Sequence, residues 1–421
     1  MHSRTGRGEQ RALMRLRLLL PLLTLAVAPR AMATPDCQQA LLESLGWRFT
    51  TAPVATPVIA TGQPCDRANL AEAQAAGDLR VLLPVTFDPA SRAALQARLL
   101  AEPATTCAFG FRLGDATRRA VDALATNRGF RFSGLQVGWI GFGPTGAARD
   151  GWTPIAPFGR GYIPRAGNWN AIQAFTRGQV RAECGVGRQV AQFAAQAALF
   201  GPQGFDAAFD AGEIAIGAWH VLNRSGGILQ GASAGVLTRD GLARNASSQG
   251  RQAFMGVPGY IGHVFDRGHL DDIHNQAQNF VVYDVSPEAA TVLRRHGGFA
   301  YYNARMRDAW RLSRTLPAAG RRPFQRLLSE RDPALRSALS PAQRDTLAQI
   351  DAVLDDPFFR GFRVYVHRQG VQPIGYHLVR MLDRNPRTPF KVEFALHNVH
   401  TTLMRRWLDY RLQACSAGIM P

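Results

Sequence analysis

A cysteine at the start of a predicted helix is the residue best placed for chemistry in this sequence. Apolar residues recur at steps of three and four from about residue 183 to residue 200, which predicts a helix over that range. Cys184 would lie in its first turn, where unpaired backbone N–H groups and the positive end of the helix dipole favour a thiolate. Arg188, one turn later, would lie on the same side. We therefore expect Cys184 to have a lowered pKa and to act as a nucleophile.

The first 33 residues predict export. They carry six arginines, an apolar run from residue 18 to residue 28, and then Ala31-Met32-Ala33, the small-residue pattern that signal peptidases cleave. We expect a signal peptide over 1–33, cleavage after Ala33, and a periplasmic or secreted protein. No later stretch approaches the length of apolar sequence that a membrane-spanning helix needs, so no transmembrane segment is expected after cleavage.

Five cysteines fit an oxidising compartment, because four of them can form two disulfides. Spacing alone leaves the pairing open. With Cys184 kept free as a working thiol, we expect Cys37 to pair with Cys65 and Cys107 to pair with Cys415.

The chain is strongly basic, which limits its partners. Of 49 Lys and Arg residues only Lys391 is a lysine, and the formal net charge is +18. The signal segment holds six arginines and one glutamate, so the remaining chain keeps +13. A basic exported protein is drawn to anionic envelope surfaces or to acidic proteins. No block of basic residues with interleaved aromatics occurs, so nucleic acid is not an expected partner.

Composition divides the remaining chain into three regions with an α+β organisation overall. An N-terminal α/β module is predicted over 34–145, a cysteine-containing core over 146–312 and a basic helical region over 313–421. In the core, strand character at 259–264 and 279–284 follows the helix that begins at Cys184. In the last region an amphipathic helix is predicted from about residue 393 to residue 414, with His397 and His400 on one face.

Three short sequence elements follow one another around the cysteine. Ala182-Glu183-Cys184 comes first, Phe205-Asp-Ala-Ala-Phe-Asp210 begins 21 residues after the cysteine, and Trp219-His220 comes third. In this order and spacing they resemble the small bacterial protein-glutamine gamma-glutamyltransferases known from spore coats. Pro258–Phe265 and Gln278–Tyr283 fall where that family has its two core strands. The resemblance covers roughly residues 175–300.

The resemblance implies a papain-like fold related to the NlpC-type cell-wall peptidases. It also implies that Cys184 attacks the carboxamide of a glutamine side chain, that ammonia leaves, and that a lysine amine resolves the thioester into an isopeptide cross-link. Trp219, with His220 beside it, would wall the substrate channel. The implied partners are proteins bearing Gln and Lys, or cell-wall peptides, and no cofactor is implied.

One position departs from the family pattern. The family pairs its thiol with a carboxylate at the start of the second core strand, and Gln278 aligns with that place. An amide accepts no proton at working pH, so a base must come from elsewhere. His274, Asp272 and His296 are the sequence candidates, and Glu183 is suited either to orient a partner or bind substrate, or to stabilise the helix start.

Two other functions fit the same residues. A cell-wall cysteine amidase or peptidase would share the fold and the thioester but pass the acyl group to water. A non-catalytic envelope-binding module would explain Gln278 as a lost base. A metal site formed by His269, Asp271, Asp272 and His274 is not expected, because no second cluster of ligands accompanies that stretch.

Overall fold

The computed structural model describes residues 35–45, 47–51, 54–57, 81–82, 88–218, 222–230, 250–264, 277–317, 321–382 and 391–417. The predicted signal peptide, His274, Trp219 and His220 lie outside these residues. The described chain is a mixed α+β protein, which confirms the predicted class. Among the described residues, no helix is long and apolar enough to cross a membrane.

Several helices begin where a proline follows a capping residue. Asp88, Ser286, Ser340 and Asp356 each accept a backbone N–H at the start of such a helix, which satisfies donors that the first turn leaves unpaired. The helices are α1 Pro35–Ser44, α2 Pro89–Ala101, α3 Pro103–Thr126, α4 Ala147–Asp150, α5 Asn168–Gln173, α6 Cys184–Ala208, α7 Leu222–Leu229, α8 Pro287–Arg295, α9 Phe299–Ser313, α10 Arg321–Leu328, α11 Pro333–Ser337, α12 Pro341–Leu354, α13 Pro357–Gly361, α14 Ile374–Leu382 and α15 His400–Ser416.

Within the described ranges, the strands form four small sheets. They are β1 Trp47–Thr51, β2 Val54–Pro57, β3 Val81–Leu82, β4 Phe130–Phe132, β5 Ile140–Phe142, β6 Trp152–Ala156, β7 Gly161–Pro164, β8 Val180–Ala182, β9 Ile216–Gly217, β10 Pro258–Val264, β11 Ala277–Val285, β12 Phe362–Val366, β13 Gly370–Pro373 and β14 Lys391–Leu396. The largest sheet is antiparallel with the order β13-β12-β11-β10-β14. The others have the orders β1-β2-β3, β4-β8-β5 and β6-β7-β9.

The five-stranded sheet separates two hydrophobic cores. Val281 of β11 belongs to the core that contains α6, whereas its neighbours Phe280 and Val282 belong to a second core with α9 and α14. This is the alternation that a strand buried on both faces must show. Helix α6 packs on the first face beside α3 and kinks at Gly201, which has a φ of 75° and precedes Pro202.

The region after residue 313 is not simply helical. It contributes β12, β13 and β14, three of the five strands of the largest sheet. The helix predicted over 393–414 is wrong at its start, because Lys391–Leu396 is a strand and the helix begins at His400. His397 and His400 therefore do not share a helical face. Both are buried, His397 between β14 and α15 and His400 in a hydrogen bond to the Met255 carbonyl.

The predicted disulfide pairing is wrong. Cys37 of α1 is bonded to Cys415 of α15, across a sequence separation of 378 residues, which rules out both predicted pairs. Cys107 is also disulfide-bonded. Cys184 is the free cysteine among the described residues, as predicted. An oxidised, buried pair supports the expectation of export.

Removing the bond between α1 and α15 should destabilise the protein. We expect the double variant Cys37→Ser/Cys415→Ser to lose about 2–4 kcal/mol of unfolding free energy, because the bond restricts the unfolded chain over a long loop. Urea denaturation without reductant measures the loss. Cys184→Ser serves as the control and should stay within about 0.5 kcal/mol of the wild type. Equal stability of the double variant and the wild type would contradict the expectation.

Candidate active site around Cys184

The carboxylate of Glu183 organises the start of helix α6. Glu183 is the N-cap residue, and its side chain accepts the backbone N–H groups of Gly185 at 2.8 Å and Val186 at 3.4 Å. Its second oxygen also accepts the N–H of Gly138 at 2.9 Å. One buried carboxylate therefore joins the helix to the loop 133–139, and Cys184 follows it as the first helical residue.

Two polar side chains contact the thiol. The Sγ of Cys184 donates to Oε1 of Glu183 at 2.9 Å. The side-chain amide of Asn279 on β11 donates to the same sulfur at 3.5 Å. The arrangement gives the half-buried thiol a proton acceptor on one side and a hydrogen-bond donor on the other. A carboxylate that already accepts the S–H hydrogen bond is positioned as a general base.

The thiol has a raised pKa. Burial and the neighbouring negative charge of Glu183 raise the pKa of Cys184 to about 12, and the hydrogen bond to Glu183 acts in the same direction. The hydrogen bond from Asn279 opposes them. The lowered pKa predicted from the helix start is therefore wrong in direction. The N–H groups of Gly185 and Val186, expected to stabilise a thiolate, instead bind the Glu183 carboxylate.

Gln278 does not face the thiol. Along β11 side chains alternate between the two faces, so Asn279 points to α6 and Gln278 points into the opposite core. Gln278 is buried there and accepts a hydrogen bond from Nδ1 of His377 at 2.9 Å. Burial lowers the pKa of His377 to about 3, so the neutral ring is the form that makes this bond. The prediction that Gln278 lies beside the thiol is therefore wrong, and its neighbour Asn279 lies there instead.

His296, the one predicted base among the described histidines, makes no hydrogen bond to the thiol. His296 is exposed at the C-terminal end of α8, and its ring stacks on Tyr301 with centroids 3.9 Å apart. His274, Trp219 and His220 lie outside the described residues. Arg188 does lie on the side of α6 that faces the sheet, with its guanidinium 5.1 Å from the ring of Tyr260, the cross-strand neighbour of Asn279.

A histidine that sequence reasoning missed packs against the same end of α6. A Cβ atom at Gly187 would lie 2.3 Å from the ring of His367, so only glycine permits this approach. Burial lowers the pKa of His367 to about 4, and its Nδ1 lies 3.2 Å from the hydroxyl of Tyr365. No hydrogen bond joins it to Cys184. The sequence does not single out His367, because it directly follows β12 in a region that is predicted to be helical.

No metal site accompanies these groups within the described ranges, where no three His, Cys, Asp or Glu side chains are grouped to hold an ion. The stretch that contains His269, Asp271, Asp272 and His274 is outside them. Comparison of the chain with known proteins finds no matching family model, no matching curated protein and no matching solved structure. The resemblance to the glutamyltransferases therefore rests on the quoted residues alone.

The thiol environment predicts a steep pH dependence of alkylation. With a pKa of about 12, Cys184 should react with iodoacetamide at pH 8 more than about 100-fold more slowly than an ordinary cysteine, with a rate that still rises at pH 10. Iodoacetamide reacts with the free thiolate, so Glu183→Gln should accelerate this reaction because it removes a negative charge that raises the pKa of Cys184. Asn279→Ala should slow it because it removes a donor to the sulfur.

Gln278→Ala is the matched control, since its side chain lies on the other face of β11 and should leave the rate unchanged. Mass spectrometry of the Cys184 peptide follows the reaction. A rate that levels off between pH 6 and pH 8 would contradict the raised pKa and restore the thiolate that a helix start alone predicts.

Proposed function

We propose that this chain is an exported cysteine acyltransferase of the transglutaminase type, with Cys184 as nucleophile and Glu183 as proton acceptor. The observation that carries the proposal is the 2.9 Å contact between the thiol and the Glu183 carboxylate at the start of α6. The packing of that helix on an antiparallel sheet supports it, as does the donor Asn279 on the neighbouring strand. A thiol needs such a partner when its own pKa is high.

The first half-reaction forms a thioester. As the sulfur attacks the carbon of a glutamine carboxamide, its proton passes to Glu183, so charge never accumulates on an unassisted thiolate. Asn279 donates to the sulfur while negative charge develops there. Glu183 then returns the proton to the departing nitrogen, the C–N bond breaks, and ammonia leaves. Glu183 is again ionised and Cys184 carries the acyl group.

The second half-reaction transfers the acyl group to a primary amine. A lysine side chain attacks the thioester carbon, Glu183 accepts a proton from the amine nitrogen, and the C–S bond breaks. The thiol recovers its proton from Glu183, and the products are an isopeptide bond and the original Cys184. Water in place of the amine would give a glutamate and describe an amidase. The acceptor alone separates these two activities.

A specific observation also favours a second, non-catalytic candidate. Asn279 is the β11 side chain at the sulfur, and an amide cannot replace the carboxylate that the family has on this strand. The thiol is also strongly protonated at neutral pH because of its raised pKa. In this view the fold remains as an envelope-binding module, and Glu183 serves only as the helix cap.

A transamidation assay tests the proposal. Residues 34–421 are incubated with a glutamine-bearing protein and a fluorescent primary amine, and ammonia release is followed in parallel. We expect amine incorporation that Cys184→Ser abolishes and that Glu183→Gln reduces by about 10²–10⁴-fold, the usual contribution of a general base. Gln278→Ala and His296→Ala should retain the wild-type rate, because neither side chain is hydrogen-bonded to the thiol.

The other outcomes are equally informative. Ammonia release without amine incorporation would identify a hydrolytic amidase. Full activity of Glu183→Gln together with loss of activity in His274→Ala would identify His274 as the general base. No reaction in either channel, with folded protein shown by circular dichroism, would favour the binding module.

A further inference from the structure

A basic cleft lies on the small sheet that leads into the active-site helix. It has a volume of about 550 Å³ and includes Arg128, Arg131 and Arg181 in its lining. Arg131 of β4 and Arg181 of β8 are cross-strand neighbours, so their exposed side chains stand side by side on one face. Two like charges placed this way repel one another unless an anion lies between them.

These three arginines have no acidic partner among the described residues. Within the described chain, the three side chains make one hydrogen bond, in which Nε of Arg131 donates to the backbone carbonyl of Arg128 at 2.7 Å. Elsewhere in the described chain arginines do pair with acids, for example Arg336 with Asp351 at 2.7 Å and Arg406 with Glu213 at 2.7 Å. The cleft therefore presents guanidinium donors that are available to a ligand.

Trp139 forms a wall of the cleft and joins it to the active site. Gly141 of β5 is the cross-strand neighbour of Arg181. A Cβ atom at Gly141 would lie 2.5 Å from the ring of Trp139, so glycine makes room for that ring. The carbonyl of Trp139 accepts the backbone N–H of Glu183 at 2.9 Å. Arg181 precedes Cys184 by three residues, which places their Cα atoms about 10 Å apart at about 3.3 Å per residue.

We propose that this cleft is a subsite for an acidic segment of the polypeptide whose glutamine is presented to Cys184. The inference rests on the proposed function and adds the class of substrate. Guanidinium groups bind carboxylates through paired hydrogen bonds, and an aromatic wall packs against the aliphatic part of a Glu side chain. At about 3.3 Å per residue, a span of about 10 Å places the acidic residues about two to four positions from the glutamine.

The loop 133–139 favours a polypeptide over a polyanion as the occupant. Leu135 and Val137 are 71% and 65% exposed, and Gly138 of the same loop binds the Glu183 carboxylate. Apolar side chains exposed beside a charged cleft are typical of surfaces that bind proteins. A simple phosphate polymer has no apolar groups to cover them.

A binding experiment separates this subsite from catalysis. The protein is the Cys184→Ala variant of residues 34–421, and the probe is a fluorescent peptide with one glutamine and two glutamates three and four residues away. A second peptide carries glutamines in place of the glutamates. Fluorescence anisotropy should show at least tenfold tighter binding of the acidic peptide, and the preference should fall as salt is added.

The preference should disappear in Arg131→Gln/Arg181→Gln. The matched control is Arg295→Gln/Arg360→Gln, which removes the same charge from two exposed arginines at the ends of α8 and α13 and should keep the preference. Equal binding of the two peptides, or equal loss in both double variants, would overturn the proposal. Displacement by inorganic polyphosphate at lower concentrations than by the acidic peptide would also overturn it, in favour of a polyanion site.

Failure of the subsite and failure of the proposed function give different results. Selective binding of the acidic peptide without any transamidation would keep the subsite and remove the activity. Transamidation of both peptides at equal rates, with no selective binding, would keep the activity and remove the subsite.

Discussion

The structure around the thiol depends on where one carboxylate puts its negative charge. Glu183 caps α6, binds the loop 133–139 through Gly138 and accepts the thiol hydrogen of Cys184. Capping alone would satisfy the first turn of the helix, and a neutral cap would leave the helix dipole free to favour a thiolate. The charged cap reverses this effect, since a carboxylate at the same place stabilises the protonated thiol. The same interaction that orders the helix start therefore also favours the protonated form of the Cys184 thiol, in the same direction as burial.

One turn after Cys184, helix α6 carries a buried positive charge, the guanidinium of Arg188. Arg188 is only 2% exposed, its guanidinium lies over the ring of Tyr260, and its Nε and Nη1 atoms have no hydrogen-bond partner within the described chain. Burial, together with the charge of Arg188, lowers the pKa of His397 to about 3. The ring of Tyr260 thus replaces an acidic partner, because its face attracts a cation. The helix and the sheet meet here through a cation and an aromatic ring rather than through an ion pair.

Sequence patterns predicted those parts of the fold that depend on local periodicity. The start of α6 and the strands β10 and β11 lie where apolar spacing predicted them, because a helix or strand with a buried face shows its period in the sequence. Sequence patterns predict less well which face of a strand a given side chain occupies. A shift of one residue along β11 places Asn279 instead of Gln278 at the thiol, because successive side chains point to opposite cores. The prediction of a lowered thiol pKa rests on the helix start alone, and burial and the charge of Glu183 outweigh that effect.

Long-range relations could not be predicted from local patterns. The helix predicted from about residue 393 overlaps the strand at 391–396, because that strand depends on pairing with β10, which is more than 120 residues earlier in the chain. The three regions 34–145, 146–312 and 313–421 stay predictions, but the first core joins side chains from Leu41 to Leu412. Cysteine pairing fails for the same reason, since spacing contains no information on which helices meet.

The bond between Cys37 and Cys415 turns almost the whole folded chain into a covalent ring. Both partners are buried, and they lie in the first and last helices of the described chain. A single proteolytic cut at any connection inside the ring would open it without releasing a fragment, so both sides of the cut would stay attached and able to repack. The ring also closes late. Cys37 must wait for its partner until helix α15 has been synthesised.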